Sequence, residues 1–196
     1  MEAQLTYTGR FHQNADQLRN EKAMIEAAKA NVRNFEPLYT KYYEAIFLFI
    51  FRRTEGMEVA RELTSEVFFR ALSKLDTYED RGVPFSAWLY RIALNIIHNN
   101  HRAHKTKRII TLEDHHLKAY CEEAGWSDDR MEMVEAAILT LDEEETSYME
   151  LRFFEERPFR EIAAIMNTSE AGAKMKMQRI LQKIRKRIGT DKAMKS

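Results

Sequence analysis

The sequence predicts an almost entirely α-helical protein. Its 196 residues include only 6 Gly and 3 Pro, which leaves too few turn residues for a many-stranded sheet. Hydrophobic residues make up 44% of the chain and charged residues 32%, a balance that suits amphipathic helices packed around a core. Apolar side chains also recur at helical spacing in several long segments.

The first 34 residues are polar and lack a strong apolar stripe. Asp16 to Val32 has a few weakly apolar helical positions and could form a helix, but the pattern favours a partly ordered leader. We therefore predict an N-terminal extension over residues 1–34 and assign it no chemistry.

Two helices and a loop are predicted next. Phe35 to Thr54 is dense in aromatic residues on overlapping faces, which indicates burial on more than one side. After a break at Gly56, Met57 to Leu75 predicts a second helix with one apolar and one charged face. Asp76 to Pro84 contains residues that disfavour a helix, so this segment predicts a loop.

The helix that follows, within residues 83–108, carries two parallel stripes. One is apolar at the spacing i, i+3, i+4, i+7, i+11, which predicts that this face packs on a core. The other is polar and basic, and no acidic residue interrupts it from Arg91 to Arg108, so it suits a polyanion. The apolar stripe is Phe85, Trp88, Leu89, Ile92 and Ile96, and the basic stripe is Arg91, Asn95, His98, Arg102 and Lys105.

A second group of helices follows an acidic segment. Residues 109–130 lose helical periodicity and predict a linker. Met131 to Leu141 predicts a short helix. Asp142 and Glu145 have the spacing of a capping box, which predicts the start of another helix that runs to Phe154.

The C-terminal segment predicts a helix-turn-helix. A turn over residues 155–158 precedes a short helix, Phe159 to Met166, and Ser169 is a good N-cap for the longer helix Glu170 to Ile188. From residue 174 to residue 195 only Asp191 opposes the basic side chains. Two basic helices therefore flank an acidic middle although the net charge is +0, and contacts to phosphates explain this better than solvated faces of an ordinary bundle.

The composition also indicates in which cellular compartment the protein is expected. The single Cys121 excludes an internal disulfide and a zinc site built from several cysteines, and it fits a reducing environment. The N-terminus lacks the pattern of a secretory signal, and the longest apolar run, Ala45 to Phe51, is too short to span a bilayer. We expect a cytoplasmic protein without membrane insertion.

Metal and enzyme chemistry have little support in the sequence. Several histidines could be considered as zinc ligands, but the basic helix offers no carboxylate or cysteine to complete a site, and a polar, DNA-facing role is favoured. We find no phosphate-binding glycine loop and no pattern of an activated nucleophile. We expect no cofactor, no metal and no catalytic activity. The histidines are His98, His101, His104, His115 and His116.

Four blocks of sequence, in order and suitably spaced, carry a family resemblance. They are Glu62 to Phe68 (ELTSEVF), Phe85 to Asn95 (FSAWLYRIALN), Glu161 to Ala163 (EIA) and Ser169 to Arg179. With these blocks the chain resembles a bacterial RNA polymerase sigma factor of the sigma-70 family and the small extracytoplasmic-function type. The resemblance implies a region 2-like bundle over residues 35–108, a linker over 109–130, a region 4-like domain over 131–189 and a tail over 190–196.

The resemblance also implies partners and sites. The first domain would bind the clamp helices of the largest polymerase subunit, and the loop Asp76 to Pro84 would capture a base flipped out of the minus-10 promoter element. The second domain would bind the polymerase flap and read the minus-35 element in the major groove, and an anti-sigma factor is an expected further partner. The implied polymerase-binding residues are Glu58, Glu62, Ser65, Glu66 and Phe69. The implied DNA-binding residues are Arg81, Arg91, Asn95, His98, Asn99, Arg102 and Lys105 in the first domain and Ala171, Gly172, Lys174, Met175, Lys176 and Arg179 in the second.

Three departures from the family pattern affect these expectations. Ser65 stands where the family prefers Gln, which puts one polymerase contact in doubt, and Pro158 replaces a Ser or Thr cap at a position where Pro is tolerated. Ala171 and Gly172 replace the usual Gly-Thr at the recognition helix. We hypothesise that base reading there uses contacts to thymine methyl groups and either Lys176 or Arg179.

Three other functions remain open at this point. A sigma mimic that only sequesters an anti-sigma protein would not need the basic stripe. A dimeric helix-turn-helix repressor would bind palindromic operators without polymerase. A purely structural bundle would leave both basic faces unexplained.

Overall fold

The structure, a computed structural model, describes residues 15–104 and 131–194, and every regular element within these ranges is helical. This confirms the predicted all-α class. The N-terminal domain contains α1 (Ala15–Ala30), α2 (Glu36–Phe51), α3 (Met57–Ser73) and α4 (Phe85–His104), with 3-10 turns at Val32–Phe35 and Leu75–Thr77. The C-terminal domain contains α5 (Met131–Ile138), α6 (Glu143–Met149) with a π-helical continuation at Glu150–Phe154, α7 (Phe159–Met166) and α8 (Glu170–Met194).

Helices α2, α3 and α4 pack on one another and form the core of the N-terminal domain. The aromatic helix α2 is buried through Leu38, Tyr42 and Phe49, as its sequence predicts. From α4, Phe85 and Leu89 of the apolar stripe are completely buried. Gly56 adopts a φ of 100° at the start of α3, a conformation that few residues other than glycine adopt, and so forms the predicted break.

The prediction of a partly ordered leader is wrong for residues 15–30. These residues form α1, whose Ile25 and Ala28 are each only 3% exposed in the N-terminal core. Helix α1 also buries the carboxylate of Glu21, which accepts a hydrogen bond from the Phe85 amide of α4. In the sequence, a helix with few apolar residues and one buried carboxylate looks the same as a solvated leader.

The C-terminal domain has the predicted helix-turn-helix. Asp142 and Glu145 form the expected capping box at the start of α6. Asn167 adopts a left-handed conformation with a φ of 55° and ends α7, and the Ser169 hydroxyl accepts a hydrogen bond from the Gly172 amide at 3.0 Å. The inner face of α8 is buried from Ala173 to Ile188, through Ala173, Met177, Ile180, Ile184 and Ile188.

The two domains pack directly against each other through α4 and α7. Polar side chains at the end of α2 contribute ion pairs to this interface: Arg53 pairs with Glu150, and Arg52 pairs with Glu155. Arg157, which is 1% exposed, donates to the Ser86 hydroxyl at 2.9 Å and to Glu161 at 2.7 Å. The amphipathic patterns did not predict this contact between domains.

The predicted acidic linker, with Cys121, Trp126, His115 and His116, lies outside the described residues, as does Lys105. Among the described residues, we find no helix whose length and apolar character would allow it to cross a bilayer.

Candidate nucleic-acid interface

A pocket lies where the loop after α3 meets the first turns of α4. Its walls come from the loop residues Tyr78, Arg81 and Pro84 and from Trp88 and Arg91 of α4. The rings of Tyr78 and Trp88 lie 5.1 Å apart between centroids, so the pocket offers aromatic surface beside two guanidinium groups. Aromatic surface with adjacent positive charge is the usual combination for binding an unstacked base of a single strand.

The loop keeps this shape through local contacts. Gly82 has a φ of 67°, and its amide donates to the Asp80 carboxylate at 2.8 Å. The Tyr78 side chain is buried, and burial, with the nearby carboxylates of Asp80 and Glu21, raises the pKa of its phenol well above the ordinary value. The phenol therefore stays protonated at neutral pH.

The polar face of α4, which holds the basic stripe and Asn99, contains both exposed and half-buried residues. Asn95, Asn99 and Arg102 are exposed, and the Arg102 guanidinium donates to the Asn99 side chain. Arg91 is half-buried in the pocket. His98 is also half-buried, because it faces Glu143 of α6 in the other domain. Of the predicted stripe, the structure therefore leaves Asn95 and Arg102 exposed to a ligand, while Arg91 and His98 are half-buried.

His98 of the stripe and His101, its neighbour on α4, lie at the contact between the domains. His101 has Nδ1 3.0 Å from the Glu143 carboxylate and Nε2 2.9 Å from the Arg53 carbonyl. His98 has Nε2 3.7 Å from the same carboxylate, beyond hydrogen-bond distance. Burial lowers the pKa of His98; Glu143 opposes this effect, and Arg53, His101 and Arg102 add to it.

This depressed pKa predicts a pH dependence of stability. Because the folded pKa of His98 lies below its ordinary value of 6.5, the unfolded chain takes up a proton first as the pH falls. The free energy of unfolding should fall from about pH 7 to about pH 5, and the His98→Gln variant should show a smaller fall. Urea unfolding at several pH values measures both curves, and parallel curves would contradict the prediction.

The predicted polymerase-binding residues lie on one exposed face of α3. Phe69 is 66% exposed, an unusual state for a phenylalanine, while Ser65 and Glu62 are also exposed. A groove between α3 and α4 brings Glu62, Ser65, Glu66 and Phe69 together with Asn99. Glu58 is exposed at the start of α3, where it pairs with Arg61 at 2.9 Å.

The outer face of α8 presents the predicted recognition residues. Ala171, Lys174, Met175 and Arg179 are exposed, and Gly172 is half-buried. Lys176 is held differently, because its ammonium donates to the Glu144 carboxylate of α6 at 2.8 Å. This hydrogen bond raises the pKa of Lys176, so the side chain is a cation at neutral pH.

Within residues 16–103 and 132–188, no three His, Cys, Asp or Glu side chains are grouped so that they could hold a metal ion. His98 and His101 of α4 both face Glu143 of the other domain.

Sequence reasoning missed two sets of residues. Arg52, Arg53 and Arg157 form ion pairs at the interface between domains, but in the sequence they resemble ordinary surface cations. Glu21 is a buried carboxylate in a segment that was expected to be solvated. The one available signal was the pair Arg52-Arg53 at the end of an apolar helix. Cations in such a place can be buried, and buried cations need acidic partners.

Comparison with known families gives a match in each domain. The family model for sigma-70 region 2 matches residues 38–107, and the model for sigma-70 region 4 matches residues 137–186. The two matches together cover most of the described helices and leave α1 outside.

Curated relatives have similar sequences. The ECF RNA polymerase sigma factor BldN of Streptomyces coelicolor is 27% identical over 174 residues, which are 86% of this chain and 66% of that protein. The RNA polymerase sigma factor YlaC of Bacillus subtilis is 26% identical over 160 residues, 79% of this chain and 92% of that protein. The ECF sigma factor SigW of Bacillus subtilis is 24% identical over 180 residues, 86% of this chain and 96% of that protein.

Solved structures share the fold. CnrH, in complex with the cytosolic domain of CnrY, has a TM-score of 0.56 at 20% identity, with 87% of this chain and 98% of that chain covered. The sigma factor RpoE, in complex with the anti-sigma factor NepR from Bartonella quintana, has a TM-score of 0.54 at 16% identity, with 81% and 99% covered. From the two regional matches, the curated relatives and this shared fold, we conclude that the chain belongs to the sigma-70 family of RNA polymerase sigma factors and is of the ECF type.

Proposed function

We propose that this protein binds core RNA polymerase and directs it to promoters, where it starts DNA-templated transcription. The observation that carries the proposal is the pocket of Tyr78, Trp88 and Arg91, which combines aromatic surface and positive charge on the same helix as the exposed Asn95 and Arg102. Within a sigma-70 region 2 match, this pocket suits one unstacked base of the non-template strand.

The polymerase contact is proposed for the exposed face of α3. Phe69 provides a large apolar side chain, and Glu62 and Glu66 beside it provide negative charge. Aromatic residues are enriched at the centre of protein interfaces, and polar or charged residues surround them at the rim. We assign the clamp helices of the largest polymerase subunit to this face, and the flap to the C-terminal domain.

Promoter opening would follow from binding energy alone. The exposed Asn95, Asn99 and Arg102 would contact the melted strand and its phosphates, while a captured base prevents reannealing. The outer face of α8 would read the upstream element in the major groove. We assign this chain no catalytic step, because the polymerase carries the chemistry, and we place it in the cytoplasm with that enzyme.

We infer that the two domains separate when the protein binds polymerase and DNA. In the packed arrangement Ala164 of α7 lines the base pocket, and a Cβ on Gly82 of the loop would lie 2.7 Å from the Arg160 guanidinium. The C-terminal domain thus covers part of the pocket. The solved relatives bound to CnrY and NepR support an anti-sigma factor as a further partner of this protein.

Transcription in vitro tests the proposal. Purified protein and core polymerase are incubated with sheared genomic DNA, and the 5′ ends of the transcripts are mapped. We expect start sites that share two upstream sequence elements and that core polymerase alone does not use. Size-exclusion chromatography of the protein with core polymerase gives a second test. A DNA-binding dimer that does not co-elute with core polymerase would instead indicate a repressor.

The recognition helix gives a quantitative prediction. Arg179→Ala and Lys176→Ala should each weaken binding to the upstream element, because a base contact by a basic side chain is worth about 1–3 kcal/mol. The effect of Lys176→Ala should be the smaller, since Lys176 must first leave Glu144. Fluorescence anisotropy with a duplex of the mapped upstream element measures both losses; Gln182→Ala, on an exposed position of the same helix, is the control. Unchanged affinity and sequence preference in both variants would refute the hypothesis.

A further inference from the structure

Glu21 of α1 is a buried carboxylate outside the region matched to the family. Glu21 is only 2% exposed, and the match to sigma-70 region 2 begins at residue 38. A carboxylate is buried at this depth only when hydrogen bonds or cations compensate for the loss of water. Its partners therefore indicate what the position requires.

The partners of Glu21 connect α1 to the beginning of α4. Oε2 accepts a hydrogen bond from the Phe85 amide at 2.6 Å, and Phe85 is the first residue of α4. Oε1 accepts from the Lys41 ammonium at 2.7 Å and from the Tyr42 hydroxyl. Amides in the first turn of a helix lack partners within the helix, and a negative charge there also favours the helix dipole. Glu21 thus fixes the point at which the loop becomes α4.

Helix α1 also contacts the other end of the loop. The Lys29 ammonium donates to the Tyr78 carbonyl at 3.1 Å, and Lys29 is only 24% exposed at its side chain. Lys22 lies 3.6 Å from the Asp80 carboxylate, but both side chains are exposed, so this pair adds little. Two buried or half-buried contacts, at Tyr78 and Phe85, therefore hold the two ends of the loop.

Both contact points touch the walls of the base pocket: Tyr78 is itself a wall, and Phe85 packs against Tyr78 and Trp88. The Tyr78 ring contacts the Phe85 ring in an edge-to-face arrangement and the Trp88 ring at a tilt of 56°, with centroids 5.1 Å apart in each pair. Phe85 lies 5.4 Å from Trp88, so a shift at either point moves the aromatic surface. We propose that α1 is part of the base-reading module and that Glu21 is a positioning residue for the pocket; this rests on the proposed capture of a promoter base.

The test must separate positioning from general stability. Loss of stability would weaken every interaction of the N-terminal domain, including that of α3 with core polymerase. Loss of positioning would weaken base capture and leave the affinity for core polymerase unchanged. Base capture and the affinity for core polymerase are therefore both measured on the same full-length protein.

The probe is a fluorescein-labelled fork-junction DNA with the downstream element of a promoter mapped by the transcription experiment. A second set of probes replaces one non-template base at a time with an abasic site. For wild-type holoenzyme we expect one position at which the missing base lowers affinity about tenfold or more, as for one base stacked on aromatic side chains. A wild-type protein without such a position would refute base capture itself, which distinguishes that failure from failure of the Glu21 proposal.

Glu21→Gln is the principal variant, because it keeps the shape but presents an amide NH₂ where one carboxylate oxygen accepts hydrogen bonds. We expect the ratio of the affinities for the normal and the abasic probe to fall to within about threefold of unity. The affinity for the abasic probe itself should stay unchanged. The control Asp16→Asn changes an exposed carboxylate of the same helix, paired with Arg19, and should keep the wild-type ratio.

Lys29→Met is the second variant and removes the donor to the Tyr78 carbonyl. It tests the positioning role of α1 if Glu21→Gln fails to fold or no longer binds core polymerase. A lowered ratio with normal polymerase binding supports the proposal. A wild-type ratio in Lys29→Met, or in a folded Glu21→Gln, overturns it.

Discussion

Replacing Arg53 with methionine is expected to lower the free energy of unfolding by about 3–5 kcal/mol, the usual cost of breaking a buried ion pair. Arg53 and Glu150 are each only 5% exposed at the side chain, so the variant leaves a carboxylate in the interface without the guanidinium. Arg53 also lies 4.0 Å above the Phe49 ring, and that contact is lost as well. Urea unfolding followed by circular dichroism measures the change.

Two further variants make this prediction specific. The double variant Arg53→Met/Glu150→Leu should regain much of the loss, because apolar pairs often replace buried ion pairs without a net cost. Arg61→Met, which breaks the exposed pair with Glu58, should change stability by no more than about 0.5 kcal/mol. A double variant as unstable as the single one would show that Glu150 is not the reason for the loss.

The same substitution should move the domains apart. Because Arg53 joins α2 to the segment after α6, we expect a larger radius of gyration for Arg53→Met than for wild type in X-ray scattering. The scattering is recorded without urea and compared with that of Arg61→Met.

Replacing Phe69 with alanine is expected to weaken binding to core polymerase by about 2 kcal/mol or more, the effect of a central aromatic residue in an interface. Phe69 is 66% exposed in the free protein, so its truncation leaves no cavity. The free energy of unfolding should therefore stay within about 0.5 kcal/mol of the wild-type value. Anisotropy of the labelled protein titrated with core polymerase measures the affinity.

A matched control is available at Val32, an apolar residue with 58% exposure outside the α3 face. Val32→Ala should keep the wild-type affinity for core polymerase. Equal affinity of Phe69→Ala and wild type would refute the assignment of this face to the polymerase. The comparison does not depend on DNA, so it tests the polymerase contact alone.

The helices with strong apolar stripes were predictable from the sequence. The stripe through Phe85 and Leu89 predicted α4 and its buried face, and the capping box at Asp142 predicted the start of α6. The helix-turn-helix followed from Ser169 and the inner stripe of α8. These features are local, because helical periodicity and capping depend on residues within one or two turns of each other.

The candidate site was predictable only in part. The basic stripe indicated a surface for a polyanion, and Asn95 and Arg102 are exposed as that requires. The roles of these side chains toward DNA and polymerase stay predictions. The sequence could not indicate that His98 faces Glu143, or that Lys176 pairs with Glu144, because both partners lie on another helix.

The helical class, the helix-turn-helix and the separation of charge into basic and acidic segments can be read from the amino-acid sequence. The packing of α1 on the N-terminal core, the hydrogen bond from the first amide of α4 to Glu21 and the buried ion pairs between the domains become visible only in the folded protein. The difference arises because the sequence near a polar side chain does not show whether that side chain is solvated or buried. Its burial depends on whether residues distant in the chain supply hydrogen bonds and opposite charge.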